Sequence, residues 1–155
     1  MMIHEGGYKP NTFTPTVLAM DLCDYVFQIT DNAKKFPEYA ETTRRNGDGS
    51  YTRILIMRQD SLINKVREQA YQIHMLAYTA NEINVGRQPN RKEERFRKQR
   101  QAIELCNEHL ATIQLCRKKF HINNKRIKYW GGLTIKVRTA LVKWNESDRD
   151  RYKNI

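Results

Sequence analysis

Two runs of basic side chains dominate the chemistry available to this sequence. Between Arg87 and Arg100 stand Arg87, Arg91, Lys92, Arg95, Arg97, Lys98 and Arg100, interrupted only by Glu93 and Glu94. Between Arg117 and Lys128 stand Arg117, Lys118, Lys119, Lys125, Arg126 and Lys128, with no acid among them. Guanidinium and ammonium groups are donors without acceptors, and their counterpart is a phosphate oxygen. Clustered, they bind a polyanion by releasing its counterions. Arg91, Lys92, Arg95, Lys98, Arg117, Lys118, Lys119, Lys125, Arg126 and Lys128 are therefore the expected nucleic-acid-binding residues. The eight tyrosines are scattered and show no OB or RNP-type pattern of aromatics on strands, so phosphate contacts are expected rather than base readout.

Other chemistry is thinner. Arg67 and His74 lie two helical turns apart on one face and resemble the Arg-x6-His pair of HEPN ribonucleases. That resemblance implies an all-α domain cleaving RNA, with His74 near neutrality and Arg67 steadying a phosphorane. Chance supplies such a pair readily in a chain with fifteen Arg and four His, and Glu68 stands where that family usually has a smaller polar residue. Asp21, Asp24 and Asp31 have no His at a ligand spacing, and His74, His109 and His121 share no i, i+4 relation, so neither a metal nor another cofactor is expected. There is no phosphate-binding glycine loop and no nucleophile elbow. Cys23, Cys106 and Cys116 are odd in number and form no CxxC pair. They imply a reducing compartment, with Cys106 and Cys116 as small core residues.

The elements that must carry these groups fit in one domain of 155 residues. Hydrophobic residues make up 39%, with only 7 Gly and 4 Pro, which excludes collagen-like and low-complexity chains and favours helices. The net charge of +11 is uneven: residues 1–50 hold five bases and seven acids, residues 51–155 twenty-three bases and ten acids. The absence of an apolar run behind basic residues near the start excludes a secretory signal. The longest uncharged apolar cluster, Ile54 to Met57, is too short for a bilayer, so a cytoplasmic protein with no membrane contact is expected.

Residues 1–15, with Gly6, Gly7, Pro10 and Pro15, read as a flexible leader. Leu18, Leu22, Tyr25, Ile29 and Ala33 then keep a helical stripe, with Thr14 or Thr16 as N-cap and Phe36-Pro37 as terminator. Asn46-Gly47-Asp48-Gly49 is a turn signal. With no alternating strand recognised beside it, a loop is expected, followed by a second helix from about Thr52 to Ile83 bearing Leu55, Leu62, Val66, Gln69, Ile73, Leu76 and Ala80 on one face. Asn90 and Glu93 suggest a capping box for a third helix, Arg91 to about Lys119, burying Phe96, Ile103, Cys106, Leu110 and Ile113. Phe120-His121-Ile122 turns the chain and Asn123 caps a fourth helix. There Ile127, Trp130, Thr134, Val137, Leu141 and Trp144 follow steps of three and four, the rhythm of a helix packed against near-parallel neighbours. Gly131-Gly132, costly inside a helix, suggests a kink or a close approach of another backbone. Residues 148–155 read as a charged, fraying tail. The expected fold is all-α, an antiparallel up-down four-helix bundle over residues 16–147.

Lys34-Lys35-Phe36-Pro37 ending helix one, the long second helix, the basic third helix, Ile122 to Trp130 and Leu141 to Ser147 together resemble the Avd-like four-helix bundle proteins. These are the accessory variability determinants of diversity-generating retroelements, distant relatives of the ribosomal-RNA intervening-sequence proteins. The resemblance implies a non-enzymatic bundle assembling as a ring-like homopentamer. It also implies binding to nucleic acid through positive charge and to the reverse transcriptase of a retroelement, with template-repeat RNA and cDNA, in mutagenic cDNA synthesis. The Asn-Gly-Asp-Gly loop and Gly131-Gly132 depart from that pattern. A ribosome-associated structural bundle and a HEPN-like ribonuclease remain the alternatives.

Overall fold

The heptad stripe of the last segment becomes a helix whose seam is closed to solvent: Ile127, Trp130, Thr134, Val137, Leu141 and Trp144 are all buried. The structure, a computed structural model, describes residues 11–31, 39–57 and 61–155. In chain order the elements are α1 (Thr14–Thr30), β1 (Tyr39–Arg45), β2 (Tyr51–Met57), α2 (Leu62–Glu82), a 3-10 turn (Pro89–Arg91), α3 (Lys92–Phe120) and α4 (Asn124–Arg151). Most of the described chain is helical. Helix α1 packs on α2 and α4, and α3 packs on the same two, so each helix has two helical neighbours around one core. The first ten residues of the expected leader and the Lys34 to Pro37 helix ending lie outside the described residues.

Local chemistry explains most helix ends. Helix α1 starts earlier than its threonines suggested: Phe13 is the N-cap residue, Pro15 sits in the first turn where its missing N–H costs nothing, and Asn11 Oδ1 accepts from Phe13 N at 2.9 Å. Ser61 caps α2, accepting from Asn64 N at 3.0 Å, and Asn123 caps α4 as expected, accepting from Arg126 N at 2.8 Å. The Asn90–Glu93 capping box does not form. Asn90 is inside the 3-10 turn, and Arg91 instead grips Glu94.

The expected loop and long second helix need correction. Residues 39–57 form an antiparallel β-hairpin pairing Tyr39 with Met57 through Arg45 with Tyr51, and α2 is 21 residues long, so Leu55 belongs to a strand. The turn closes through Asn46 N donating to Ser50 O at 2.8 Å and Asn46 Nδ2 donating to Thr52 Oγ1 at 2.8 Å, and Gly49 takes φ +86°, the left-handed region that glycine tolerates best. The run Tyr-Thr-Arg-Ile-Leu-Ile-Met is rich in β-branched and aromatic residues, which favour a pleated strand over a helix.

The last boundary also moves. Helix α4 continues past Ser147 to Arg151, because Asp148 is the next step of its buried stripe and is only 1% exposed. Gly131 and Gly132 lie within α4, and among the described residues a β-carbon built on either meets nothing within 4 Å.

The core includes polar side chains joined in a directed chain. Trp130 Nε1 donates to His109 Nε2 at 3.0 Å, so that nitrogen must be bare and the proton must sit on Nδ1. Nδ1 lies 2.9 Å from Gln69 Oε1, Gln69 Nε2 donates to Thr112 Oγ1 at 3.0 Å, and Thr112 Oγ1 donates to Glu108 O at 3.0 Å. Each donor finds an acceptor, and the chain ties α2, α3 and α4 together. Burial lowers the His109 pKa to about 4, which keeps the ring neutral as this arrangement requires.

Candidate nucleic-acid interface

The first basic run is largely spent inside the molecule. Arg91 holds Glu94 through Nε and Nη2 at 2.8 and 3.0 Å, Lys92 Nζ donates to Ile155 O at 2.6 Å, and Lys98 Nζ donates to Thr79 Oγ1 at 3.1 Å. The same Arg91 hydrogen bond holds the Glu94 carboxyl below its ordinary range. Arg87, Arg97 and Arg100 remain exposed.

Arg95 is a correction to the expected surface. It is 7% exposed, with Nε donating to Asp148 Oδ2 at 2.7 Å and Nη1 to Ile83 O at 2.8 Å, and its guanidinium lies over the Trp144 ring. Gln99 Nε2 donates to the same Asp148 oxygen at 2.6 Å, and Asn145 Nδ2 donates to Gln99 Oε1 at 2.6 Å. A guanidinium so enclosed cannot reach a phosphate. Its role is to join the start of α3 to the end of α4 and to the chain leaving α2. The sequence carried a signal for this. Arg95, Gln99, Ala102, Cys106, His109, Ile113 and Cys116 follow steps of four and three and are all buried, so Arg95 opens the seam of α3 just as Asp148 extends that of α4.

The second run is different. Arg117, Lys118 and Lys119 end α3, while Lys125, Arg126 and Lys128 begin α4, so one tight connection brings all six to a single end of the helices. Arg126 is half-buried and the other five are exposed. Among the described residues none of the six forms an ion pair, whereas Arg67, Arg91 and Arg95 each do. The connection is sharp because His121 takes the left-handed conformation, φ 54° and ψ 43°, as the cap residue after α3. It opens a cleft of about 790 Å³ lined by Gln114, Arg117, Lys118, His121, Ile122 and Asn124.

A second cleft, of about 400 Å³, lies beside it and is lined by Tyr25, Ile29, Asn123, Lys125, Arg126 and Tyr129. Asn123 borders both. Tyr129 is 60% exposed and its ring centroid is 4.9 Å from that of Tyr25 on α1. Sequence reasoning treated the tyrosines as scattered and missed this pair, whose members are brought together only by the packing of α1 on α4. A partial signal was available: Tyr129 falls between Ile127 and Trp130 of the buried stripe and so must face outward.

The remaining candidates lie on α2 and in the core. Arg67 Nε donates to Thr30 Oγ1 at 2.8 Å, its Nη2 pairs with Asp31 at 3.2 Å, and its guanidinium lies over Phe27, so it fastens the end of α1 to α2. His74 is half-buried two turns further along, its Nδ1 has no hydrogen-bond partner among the described residues, and burial lowers its pKa. Cys106 and Cys116 are buried, and burial pushes the Cys106 thiol up to about 12, far from the thiolate a nucleophile needs. Among the described residues no group of three His, Cys, Asp or Glu side chains could hold a metal ion, and no helix is long and apolar enough to cross a membrane. The chain matches no family model, no curated protein and no solved structure.

Proposed function

We propose that this chain is a non-enzymatic nucleic-acid-binding bundle that holds RNA, or an RNA/DNA duplex, against a partner polymerase. This is the accessory role implied by its resemblance to the Avd-like proteins of diversity-generating retroelements. The observation that carries the binding is the set of six cations at the α3–α4 connection with no ion-pair partner among the described residues. Uncompensated charge at one end of a helical body attracts a phosphate backbone over a Debye length and releases counterions on contact. The polymerase, template-repeat RNA and cDNA as partners come from the resemblance.

The pairs Arg95–Asp148, His109–Trp130 and Arg138–Asn107 support antiparallel packing of α3 and α4, and Tyr25–Tyr129 with Phe13–Trp144 supports the same for α1 and α4. The proposed architecture is thus an up-down four-helix bundle. A ring-like homopentamer, if formed, repeats the basic end around its rim and lengthens the contact with a polyanion.

Reversing Lys118, Lys119, Lys125 and Arg126 to Glu tests the surface. The variant is expected to keep its helical circular dichroism and lose affinity for both RNA and duplex DNA, and unchanged affinity removes these residues from the site. A light-scattering mass near the 18.4 kDa monomer rejects the assembly. Co-purification with a reverse transcriptase and its template RNA tests the partner.

A further inference from the structure

The tyrosine-lined cleft is built for more than phosphate. Its floor joins two aromatic rings, Tyr25 and Tyr129, with centroids 4.9 Å apart and planes inclined by 57°. Ile29 adds an apolar wall, while Lys125 and Arg126 supply cations at the rim. The far side of the same pair is acidic and amidic instead: Asp21, Asp24 and Gln28 line a small hollow behind Tyr25 and Tyr129. A phosphate backbone is therefore attracted along one side of the rings and repelled from the other. Burial raises the pKa of Tyr25 against the opposing pull of Arg126, so its hydroxyl stays neutral, able both to donate and to accept.

We infer that the Tyr25–Tyr129 cleft holds one unpaired nucleobase against Tyr129, with the flanking phosphates on Lys125, Arg126 and the adjoining cleft of Arg117 and Lys118. The inference rests on the nucleic-acid-binding reading and narrows it from any polyanion to a single-stranded segment. A paired base is stacked between its neighbours and has no free face, whereas an unpaired one gains a π-surface and loses little. The volume of about 400 Å³ has room for a nucleobase. Because any base presents a π-face, the site discriminates strand state more than sequence.

The test compares three probes by fluorescence anisotropy at one salt concentration, the single and abasic strands having equal phosphate number. They are an oligodeoxyadenylate of about 12 nucleotides, its duplex, and the same strand with abasic sites throughout. The native protein is expected to bind the single strand roughly tenfold or more tightly than the abasic strand. Tyr129→Ala is expected to abolish that difference while leaving the affinity for the duplex and the abasic strand unchanged, and Tyr129→Phe to keep it. Tyr129 is 60% exposed but packs against Tyr25, so circular dichroism of Tyr129→Ala checks that its helices are retained. Equal binding of the single and abasic strands, or a Tyr129→Ala variant that retains the difference, overturns the stacking site while leaving the phosphate surface standing. Failure of all three probes to bind overturns both.

Discussion

His109 makes the stability of this protein depend on pH in a direction and by an amount that follow from the relay. Folded, its pKa is about 4; unfolded, it returns to roughly 6.5. A depressed pKa means that stability is fully present above the unfolded value and is lost as pH falls, because below about 6.5 the unfolded chain takes up a proton that the folded one refuses. The loss is about 2 kcal/mol at pH 5 and about 3 kcal/mol at pH 4, a large part of a total that is typically 5–15 kcal/mol. The assay is urea unfolding followed by circular dichroism at a fixed protein concentration, at about pH 7.5 and about pH 5. Burial lowers the His74 pKa as well, so the same pair of measurements on His109→Gln supplies the reference. That variant is expected to be weaker at neutral pH by about 1–3 kcal/mol, since Trp130 and Gln69 cannot both be satisfied as before. It is also expected to lose about 2 kcal/mol less than the native protein between the two pH values. An identical pH loss in both proteins refutes the neutral, buried assignment.

Three further outcomes follow from the packing. Arg95→Met is expected to cost about 3–5 kcal/mol in denaturant unfolding by leaving the buried Asp148 carboxylate unpaired, with nucleic-acid affinity unchanged under conditions where the variant is folded. Gly131→Ala and Gly132→Ala are each expected to raise stability by up to about 1 kcal/mol, since both positions have open space for a methyl group; a loss of assembly by light scattering instead would place a second copy against them. His121→Gly is expected to stabilise by about 1 kcal/mol in thermal or denaturant unfolding, because a left-handed cap suits glycine better than a residue with a β-carbon.

Helix α4 was legible in the sequence because its buried positions are mostly large and apolar and its cap is an asparagine of the usual kind. Helix α3 was harder to read, since its seam mixes Arg95, Gln99 and His109 with alanine and cysteine. An apolar reading of that segment picks Ile103 and Leu110, which pack only at the edge of the core. Arg95 and Asp148 look like solvated charges when read locally, and their partnership spans 53 positions, so only the heptad arithmetic of both helices together reveals it. The hairpin was lost for a different reason. Its turn was recognised, but strand pairing there sets Thr43 against Arg53 and Arg44 against Thr52, polar partners that break the apolar alternation by which a strand is usually read. The chain order alone places six cations around the α3–α4 connection, but it does not show that Arg91, Lys92, Arg95 and Lys98 hold partners within the chain, because counting charges does not show which ones are already engaged.

The central claim is that the six cations at the α3–α4 connection engage phosphates, and the salt dependence of binding to a single-stranded RNA measures it most directly. Six phosphates neutralised predict a slope of log K against log salt of about −4, falling to about −1 when Lys118, Lys119, Lys125 and Arg126 are replaced by Ala and two cations remain. A slope near zero in the native protein, or the same slope in the alanine variant, contradicts the account.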